Sequence, residues 1–297
     1  MGEISSKIAD VFISQAPMLV MLIFIVAVQL LAISLIPAFS ASGNRIFENP
    51  ESTANPFIYI LLIIGFTMVL LIAMKLEKGW LVSGFIQLSV AATIFYILTS
   101  FMDIFLSLIL TLAFLLLLRF YPEWYIIDII GILICAGISS LFGISMTALP
   151  AFILLVILAI YDAISVYKTR HMVTLAEGVI DIKAPLLFVV PRKGGYSFRK
   201  ERMKISGEGR GAYFLGLGDA IIPTILAVSA NWSVPAPALF VLGLNLPALG
   251  AMFGTWIGFG ALLMTSRDKP QAGLPFLNGG TVLGFLAGCA LAGVRPF

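Results

Sequence analysis

Long apolar runs separated by short polar breaks dominate the chain. Runs of about 18–25 apolar residues are long enough to cross a lipid bilayer as helices. The pattern predicts nine such spans, at residues 17–36, 57–74, 80–99, 103–119, 125–144, 149–168, 212–230, 235–264 and 274–294. The expected fold class is therefore an all-α, polytopic membrane protein with about nine transmembrane helices.

Composition agrees with a membrane protein and excludes a soluble globular domain. Of 297 residues, 60% are hydrophobic and 11% are charged, and the mean hydropathy is +1.08. Cys135 and Cys289 lie within apolar spans and are expected to be packing residues. His171 is the only histidine and has no Cys or acid cluster near it, so no metal site and no cofactor are expected.

One long polar segment organises the chain into three parts. Residues 1–168 form a six-helix membrane part, residues 169–211 a cytoplasmic polar loop, and residues 212–297 a three-helix membrane part. Within the loop, Leu186–Val190 is β-prone and too short to span a bilayer. The loop is either a solvated connector, or residues 179–190 provide an edge that pairs with an extended peptide.

The positions of the basic residues predict the orientation in the membrane. With nine spans, 16 of the chain's 18 Lys and Arg residues fall on the side of the N-terminus. Only Arg45 and Arg295 fall on the other side. Positive residues favour the cytoplasmic side, so the N-terminus is expected in the cytoplasm and the C-terminus outside.

Two aspartates lie inside apolar runs. A charged carboxylate in hydrocarbon costs about 2.5–3.5 kcal/mol on insertion scales, so its presence calls for a function. Asp162 lies six residues before the expected end of the sixth span at Lys168, and Asp219 lies seven residues after the seventh span begins at Ala212. At about 1.5 Å per residue, both carboxyls are expected about 9–11 Å below the cytoplasmic boundary, where they can face each other.

A facing pair of carboxyls supports two kinds of chemistry. Such a pair shares one proton, so one carboxylate can activate a water while the other carboxylic acid protonates a carbonyl, as in an aspartic protease. Gly216 and Gly218 would leave room for another backbone beside Asp219, and Tyr161 would line the pocket beside Asp162. A proton or ion pathway fits the same spacing, and the residues alone leave both alternatives open.

Other polar and small residues in the spans predict structural roles. Asp103 and Asp128 lie near span ends and are expected to be boundary residues, whereas Gln87 and Asn245 are expected to connect helices. Glycines at helical spacing are expected to let the last two spans pack closely: Gly250, Gly254 and Gly258 in one, and Gly280, Gly284 and Gly288 in the other.

The paired motifs resemble those of the presenilin and signal peptide peptidase family of intramembrane aspartyl proteases. They are Tyr161-Asp162 in one span and Gly216-Leu217-Gly218-Asp219 in the next, and the chain is similar to a single-chain prokaryotic presenilin homologue. The resemblance implies an aspartic endopeptidase in which Asp162 and Asp219 are catalytic. It would use an activated water to hydrolyse peptide bonds of transmembrane helical substrates, with Gly216, Leu217 and Gly218 beside the substrate.

One family element departs from the expected position. Members carry Pro-Ala-Leu at the cytoplasmic start of the last span, whereas Pro247-Ala248-Leu249 falls in the middle of the predicted eighth span. Ala272-Gly273-Leu274-Pro275 has the right depth. We therefore expect Gly273, Leu274 and Pro275, and not residues 247–249, to contact the substrate.

Two alternatives compete with this interpretation. A secondary transporter or leak channel would use the aspartates as a proton or ion relay, but no convincing inverted repeat relates the six-span and three-span parts. A prepilin-peptidase type of protease would carry a basic residue after Asp219, where this chain has Ala220. The expected partners are transmembrane protein or peptide substrates and the lipid bilayer, with no nucleic acid; a homo-oligomer stays open.

Overall fold

The structure is a computed structural model. It describes residues 2–43, 45–75, 79–166, 186–192, 196–197, 211–239, 243–265 and 272–297. Most of the predicted polar loop therefore lies outside the described residues. This includes residues 179–185 of the β-prone stretch and His171.

The described residues form nine helices and one two-stranded sheet. The helices are α1 (Gly2–Ser42), α2 (Asn55–Lys75), α3 (Gly79–Thr99), α4 (Ile104–Phe120), α5 (Trp124–Ile144), α6 (Ala148–Ile164), α7 (Leu217–Ser233), α8 (Leu246–Thr265) and α9 (Leu274–Ala292). Five of them, α1, α3, α5, α8 and α9, are long and apolar enough to cross a membrane. The helical fold class is confirmed, and the number of bilayer crossings stays a prediction.

Helices α5 and α7 form the centre of the bundle, and the outer helices expose apolar side chains. In α7 every residue from Ala220 to Ala230 is buried. By contrast, Leu61 of α2 and Phe105 of α4 are 70% and 72% exposed. Apolar side chains on an outer face are stable in lipid, because lipid tails are as apolar as the side chains themselves.

The sheet occupies part of a predicted helix. Strand β1 (Leu187–Pro191) pairs antiparallel with β2 (Ala212–Gly216), and Val189 lies opposite Phe214. The β-prone character of residues 186–190 is thus confirmed, whereas the prediction of helix over 212–216 is wrong. The short apolar run fits a strand as well as a helix, and pairing with β1 satisfies its backbone groups.

A second helix boundary also differs from the prediction. The eighth span was expected from residue 235, but α8 begins at Leu246. Asn245 therefore lies before the helix and not within it. Its Nδ2 donates to Ala230 O and Val234 O, and its Oδ1 accepts from Ala248 N. The expected connecting role of Asn245 is confirmed, because it joins the end of α7 to the first turn of α8.

Two other polar residues have local roles. Asp103 Oδ1 accepts from the backbone N–H groups of Phe105 and Leu106, at 2.9 and 3.1 Å, and so caps α4. This agrees with its expected boundary position. The prediction for Gln87 is wrong in one respect, because its Nε2 donates to Ser83 Oγ on the same helix and not to a neighbouring one.

The glycine contact between α8 and α9 is confirmed. A Cβ added to Gly254 would meet the carbonyl oxygen of Gly280, and a Cβ added to Gly280 would meet that of Gly254. Gly250 and Gly284 stand in the same reciprocal relation. The two antiparallel helices are therefore in backbone contact, which only glycine permits at these positions.

Replacing Gly254 with alanine is expected to destabilise the protein. The added methyl group would push α8 away from the Gly280 backbone, with a cost of about 1–3 kcal/mol that lowers the midpoint of thermal unfolding in detergent. Gly260→Ala on the same helix is the matched control, since a Cβ there meets no described heavy atom within 4 Å. Equal unfolding midpoints for the two variants would contradict the close contact.

Candidate active site

Asp162 and Asp219 come together from the ends of two antiparallel helices. Asp162 lies two residues before the end of α6, and Asp219 is the third residue of α7. Both carboxyls contact the same short segment, Asp162 at Leu274 and Asp219 at Gly273, and so lie close to each other. Both lie nearer to their helix ends than expected, because residues 212–216 are a strand and α6 ends at Ile164.

The N-terminus of α9 contacts both acids. The N–H of Leu274, the first residue of α9, donates to Asp162 Oδ2 at 3.1 Å. A Cβ added to Gly273 would lie 3.1 Å from Asp219 Cγ and from both of its carboxyl oxygens. The first N–H groups of a helix have no partner within the helix, so Leu274 is free to bind a carboxyl group.

The residues before Asp219 differ in what they offer to the site. A Cβ added to Gly216 would lie 3.4 Å from Asp219 Oδ2, so the Gly216 backbone passes close to this carboxyl. Gly218 is exposed, and a Cβ there would meet no described heavy atom within 4 Å. Leu217 is buried, and its side chain packs against Gly131 of α5. The open approach is therefore at Gly218, whereas the Leu217 side chain is used for packing.

The remaining predicted site residues lie on α6 and α9. Tyr161 precedes Asp162 in the last turn of α6 and is partly buried. Pro275 lies in the first turn of α9, where the missing N–H of proline costs no helical hydrogen bond. Of these α6 and α9 residues, Gly273 and Leu274 contact the two carboxyls, whereas Tyr161 and Pro275 are next to contacting residues in the chain.

The Pro247-Ala248-Leu249 sequence lies far from this site. It lies in the first turn of α8, whereas the sequence predicts a position in the middle of a span. A Cβ added to Gly288 would meet Leu246 O and the Cα of Pro247, so this turn packs at the far end of α9. Fourteen residues of helix separate Gly288 from Leu274, or about 21 Å at 1.5 Å per residue.

The two acids differ in accessibility: Asp162 is buried, whereas Asp219 adjoins an exposed residue. The side chain of Asp162 is only 6% exposed, whereas Asp219 is partly buried and its neighbour Gly218 is exposed. Among the described residues, no group of three or more His, Cys, Asp or Glu side chains could hold a metal ion. What the arrangement offers is two adjacent carboxyls, one backbone donor and open space beside Asp219.

A third acid, Asp128, is buried although its sequence position predicts a boundary residue. Asp128 was expected at a hydrated boundary, but it is 2% exposed and its Oδ1 accepts from Val189 N of β1 at 2.8 Å. The expectation is wrong because β1 covers the start of α5. The signal that identifies the other two aspartates, an acid within an apolar run, was present here as well.

The chain is similar to proteins of one family over almost its whole length. The family model for "Signal-peptide peptidase, presenilin aspartyl protease" matches residues 21–294. Two solved structures, described as a presenilin family intramembrane aspartate protease in space groups C222 and P2, are each 38% identical to it. Each comparison covers 93% of this chain and 98% of the other, with TM-scores of 0.67 and 0.68. A comparison with curated proteins gave no match.

Gly273→Ala is expected to impair a reaction at the two acids without unfolding the protein. The new methyl group would displace the Asp219 carboxyl by a few tenths of an ångström, and misplacement of a reacting group is expected to lower the rate about tenfold or more. The measurement is cleavage of a single-span model substrate, because both solved relatives are described as proteases.

The matched control for Gly273→Ala is Gly279→Ala on the same helix. A Cβ at Gly279 meets no described heavy atom within 4 Å, so this variant should keep the wild-type rate. Equal cleavage rates for Gly273→Ala and Gly279→Ala would show that the α9 terminus does not constrain Asp219.

Proposed function

The chain belongs to the signal-peptide peptidase and presenilin aspartyl protease family and is an intramembrane aspartyl protease, and on this premise we propose that Asp162 and Asp219 are its catalytic dyad. One observation carries the proposal. The dipeptide Gly273-Leu274 at the start of α9 contacts both carboxyls, through the Leu274 N–H on Asp162 and the close approach of Gly273 to Asp219. Such a contact holds two acids from different helices in a fixed relative position.

The pair hydrolyses a peptide bond with one shared proton. The carboxylate takes a proton from a water molecule as the water oxygen bonds to the carbonyl carbon, and the carboxylic acid gives its proton to the carbonyl oxygen. A tetrahedral diol results. As the diol collapses, the acid that took a proton from water gives it to the amide nitrogen and the C–N bond breaks. The other carboxylate takes a proton from a diol hydroxyl, so the dyad again holds one proton.

The substrate is a transmembrane helix that unwinds locally. A helix in lipid hides its peptide bonds behind its own hydrogen bonds, so the scissile bond becomes reachable only in an extended segment. Gly216 and Gly218 leave room for that segment beside Asp219. We assign Tyr161 and Pro275, which adjoin Asp162 and Leu274 in the chain, to the opposite side of the segment. Leu217 contributes by packing against α5.

An extended substrate segment has one suitable sheet edge to pair with. Arg192 N donates to Gly211 O, so these two opposite residues form a hydrogen-bonded pair. In an antiparallel ladder every second pair is hydrogen-bonded. The backbone groups of Ala212, Phe214 and Gly216 therefore point away from β1. No described residue hydrogen-bonds the outward backbone groups of Ala212 or Phe214. We therefore propose that the substrate pairs with β2 and not with residues 179–190. Strand β2 leads directly to the Gly216–Asp219 motif.

The proposed orientation follows the distribution of charge. The chain is a multi-pass membrane protein with several apolar helices. If all nine helices cross the bilayer, the basic residues put the N-terminus in the cytoplasm and the C-terminus outside. The dyad then lies at the cytoplasmic end of α6 and α7, and water reaches it from that side.

Replacing either acid by its amide should abolish cleavage. Asp162→Asn and Asp219→Asn keep the size of the side chain but remove the ability to share a proton, so the rate should fall about a thousandfold or more. The measurement compares wild type and both variants on a single-span substrate in liposomes, with thermal unfolding as the check of folding.

The same liposomes distinguish proteolysis from transport. The proposal is overturned by two results together: folded wild type cuts none of several substrates, and it carries a proton or ion flux that both amide variants abolish. The acids would then form a relay. Cleavage by wild type and by neither folded variant supports the dyad.

The β2 edge is tested with a proline. Phe214→Pro removes an outward N–H but no bond to β1, so kcat/KM should fall about two- to tenfold while the fold is kept. Phe214→Leu is the control, since it changes the side chain but retains the N–H. If the proline variant cleaves as fast as the leucine variant, the substrate does not pair with β2 at this position.

A further inference from the structure

Asp128 is a buried acid that the proposed mechanism does not use. It lies in the second turn of α5, it is 2% exposed, and its Oδ1 accepts from Val189 N of β1. Its Oδ2 is buried and has no hydrogen-bond partner in the part of the chain that the structure describes. Burying a carboxyl is costly, and the bond to Val189 of β1 offsets part of that cost.

The bond closes the outer edge of β1. By the alternation of the ladder, Leu187, Val189 and Pro191 direct their backbone groups away from β2. Asp128 occupies the N–H of Val189, and Pro191 has no N–H to offer. A further strand therefore finds few donors on β1, which leaves β2 as the edge on which a substrate segment can pair.

The same face of α5 continues from the sheet to the catalytic helix. Asp128, Gly131, Cys135 and Ser139 are spaced by three or four residues and so lie on one face. A Cβ added to Gly131 would lie 3.2 Å from the Phe188 ring of β1 and 3.3 Å from the Leu217 side chain. This glycine therefore allows the strand and the start of α7 to approach α5 together.

The contacts of this face extend along α7 on both sides of Asp219. Cys135 Sγ donates to Leu217 O at 3.8 Å, and Ser139 Oγ donates to Ile221 O at 3.2 Å. Asp219 lies between these two acceptors in the chain. Helix α5 thus holds β1 at one end of the face and the turn that carries Asp219 at the other.

We propose that Asp128 is a positioning residue that fixes the active-site sheet in one register relative to Asp219, and so determines which substrate bond is cut. The inference rests on the proposed function, since it assumes that a substrate strand pairs with β2. Without Asp128, the Val189 N–H is unpaired, the described contacts between β1 and α5 are apolar, and the sheet can shift along the helix. A substrate strand then presents neighbouring peptide bonds to the dyad.

The test compares Asp128→Ala with Asp128→Asn. The asparagine variant keeps an acceptor oxygen for Val189, whereas the alanine variant removes it. We expect wild-type products from Asp128→Asn, and from Asp128→Ala additional products cut at neighbouring bonds, together with a raised KM. The products of a single-span substrate are identified by mass spectrometry.

Ser229→Ala is the control for a general loss of stability. Ser229 is buried, and its Oγ donates to Met146 O at 2.7 Å, so the variant also removes a buried side chain–backbone bond, but one that lies away from the sheet. It is expected to lower the unfolding midpoint and to leave the cleavage position unchanged. A shift in products that also occurs in Ser229→Ala would overturn the positioning role.

A second readout does not depend on activity. Hydrogen exchange of the amides of residues 187–190 should be about two- to tenfold faster in Asp128→Ala than in Asp128→Asn, because the alanine variant lacks the acceptor for the Val189 N–H that asparagine retains. If Asp128→Ala does not fold, Asp128→Glu replaces it. The longer side chain moves the acceptor by one methylene group, and altered product ratios are then expected.

The outcomes separate this inference from the proposed function. Unchanged products and unchanged exchange in the alanine variant, with active wild type, overturn the role of Asp128 alone. If folded Asp128→Asn loses cleavage as completely as Asp162→Asn does, Asp128 takes part in the chemistry. This result also overturns a positioning role. Folded wild type that cuts no substrate contradicts the proposed function itself, and the exchange measurement still tests the bond.

Discussion

The hydrogen bond from the N-terminus of α9 to Asp162 is the interaction on which the rest of the site depends. It brings Gly273 against Asp219, so one short segment holds acids that come from two other helices. This segment keeps its position only if α9 is fixed along its length. The glycine contacts with α8 fix one side, and the bond from Asn278 Nδ2 to Leu155 O fixes α9 to α6 on the other. Backbone contact at Gly254 and Gly280 is therefore a condition for the geometry of the two carboxyls.

The sheet meets a different constraint, because strands in a membrane protein are stable only where their edges are paired, protected or facing a cavity. Strand β1 meets it through Asp128 and Pro191, whereas β2 leaves outward backbone groups at Ala212 and Phe214 without a described partner. The two edges thus differ for a physical reason. On the proposed function, the unprotected edge is the one that receives the substrate and leads to Asp219.

The sequence predicts those features that depend on the cost of placing a residue type in lipid. An unpaired acid in an apolar run is expensive, so Asp162 and Asp219 stand out, and glycines at helical spacing indicate close contact between helices. It identifies residues 186–190 as β-prone but does not predict the strand at 212–216. Residues 212–216 are hydrophobic enough for a helix, and only their pairing with β1, which is distant in the chain, makes them extended. The burial of Asp128 is missed for the same reason, since β1 is what covers it.

The position of α9 also explains why the Pro-Ala-Leu sequence does not identify the segment that contacts the two acids. Pro247-Ala248-Leu249 matches the family's sequence, but it packs near Gly288, at the end of α9 away from the acids. What the two carboxyls contact at the other end is a backbone N–H and a residue without Cβ, and Gly273-Leu274 supplies both. Neither property depends on the identity of the Leu274 side chain. In this chain a helix start with glycine before it and a proline in its first turn makes the contact without the three letters.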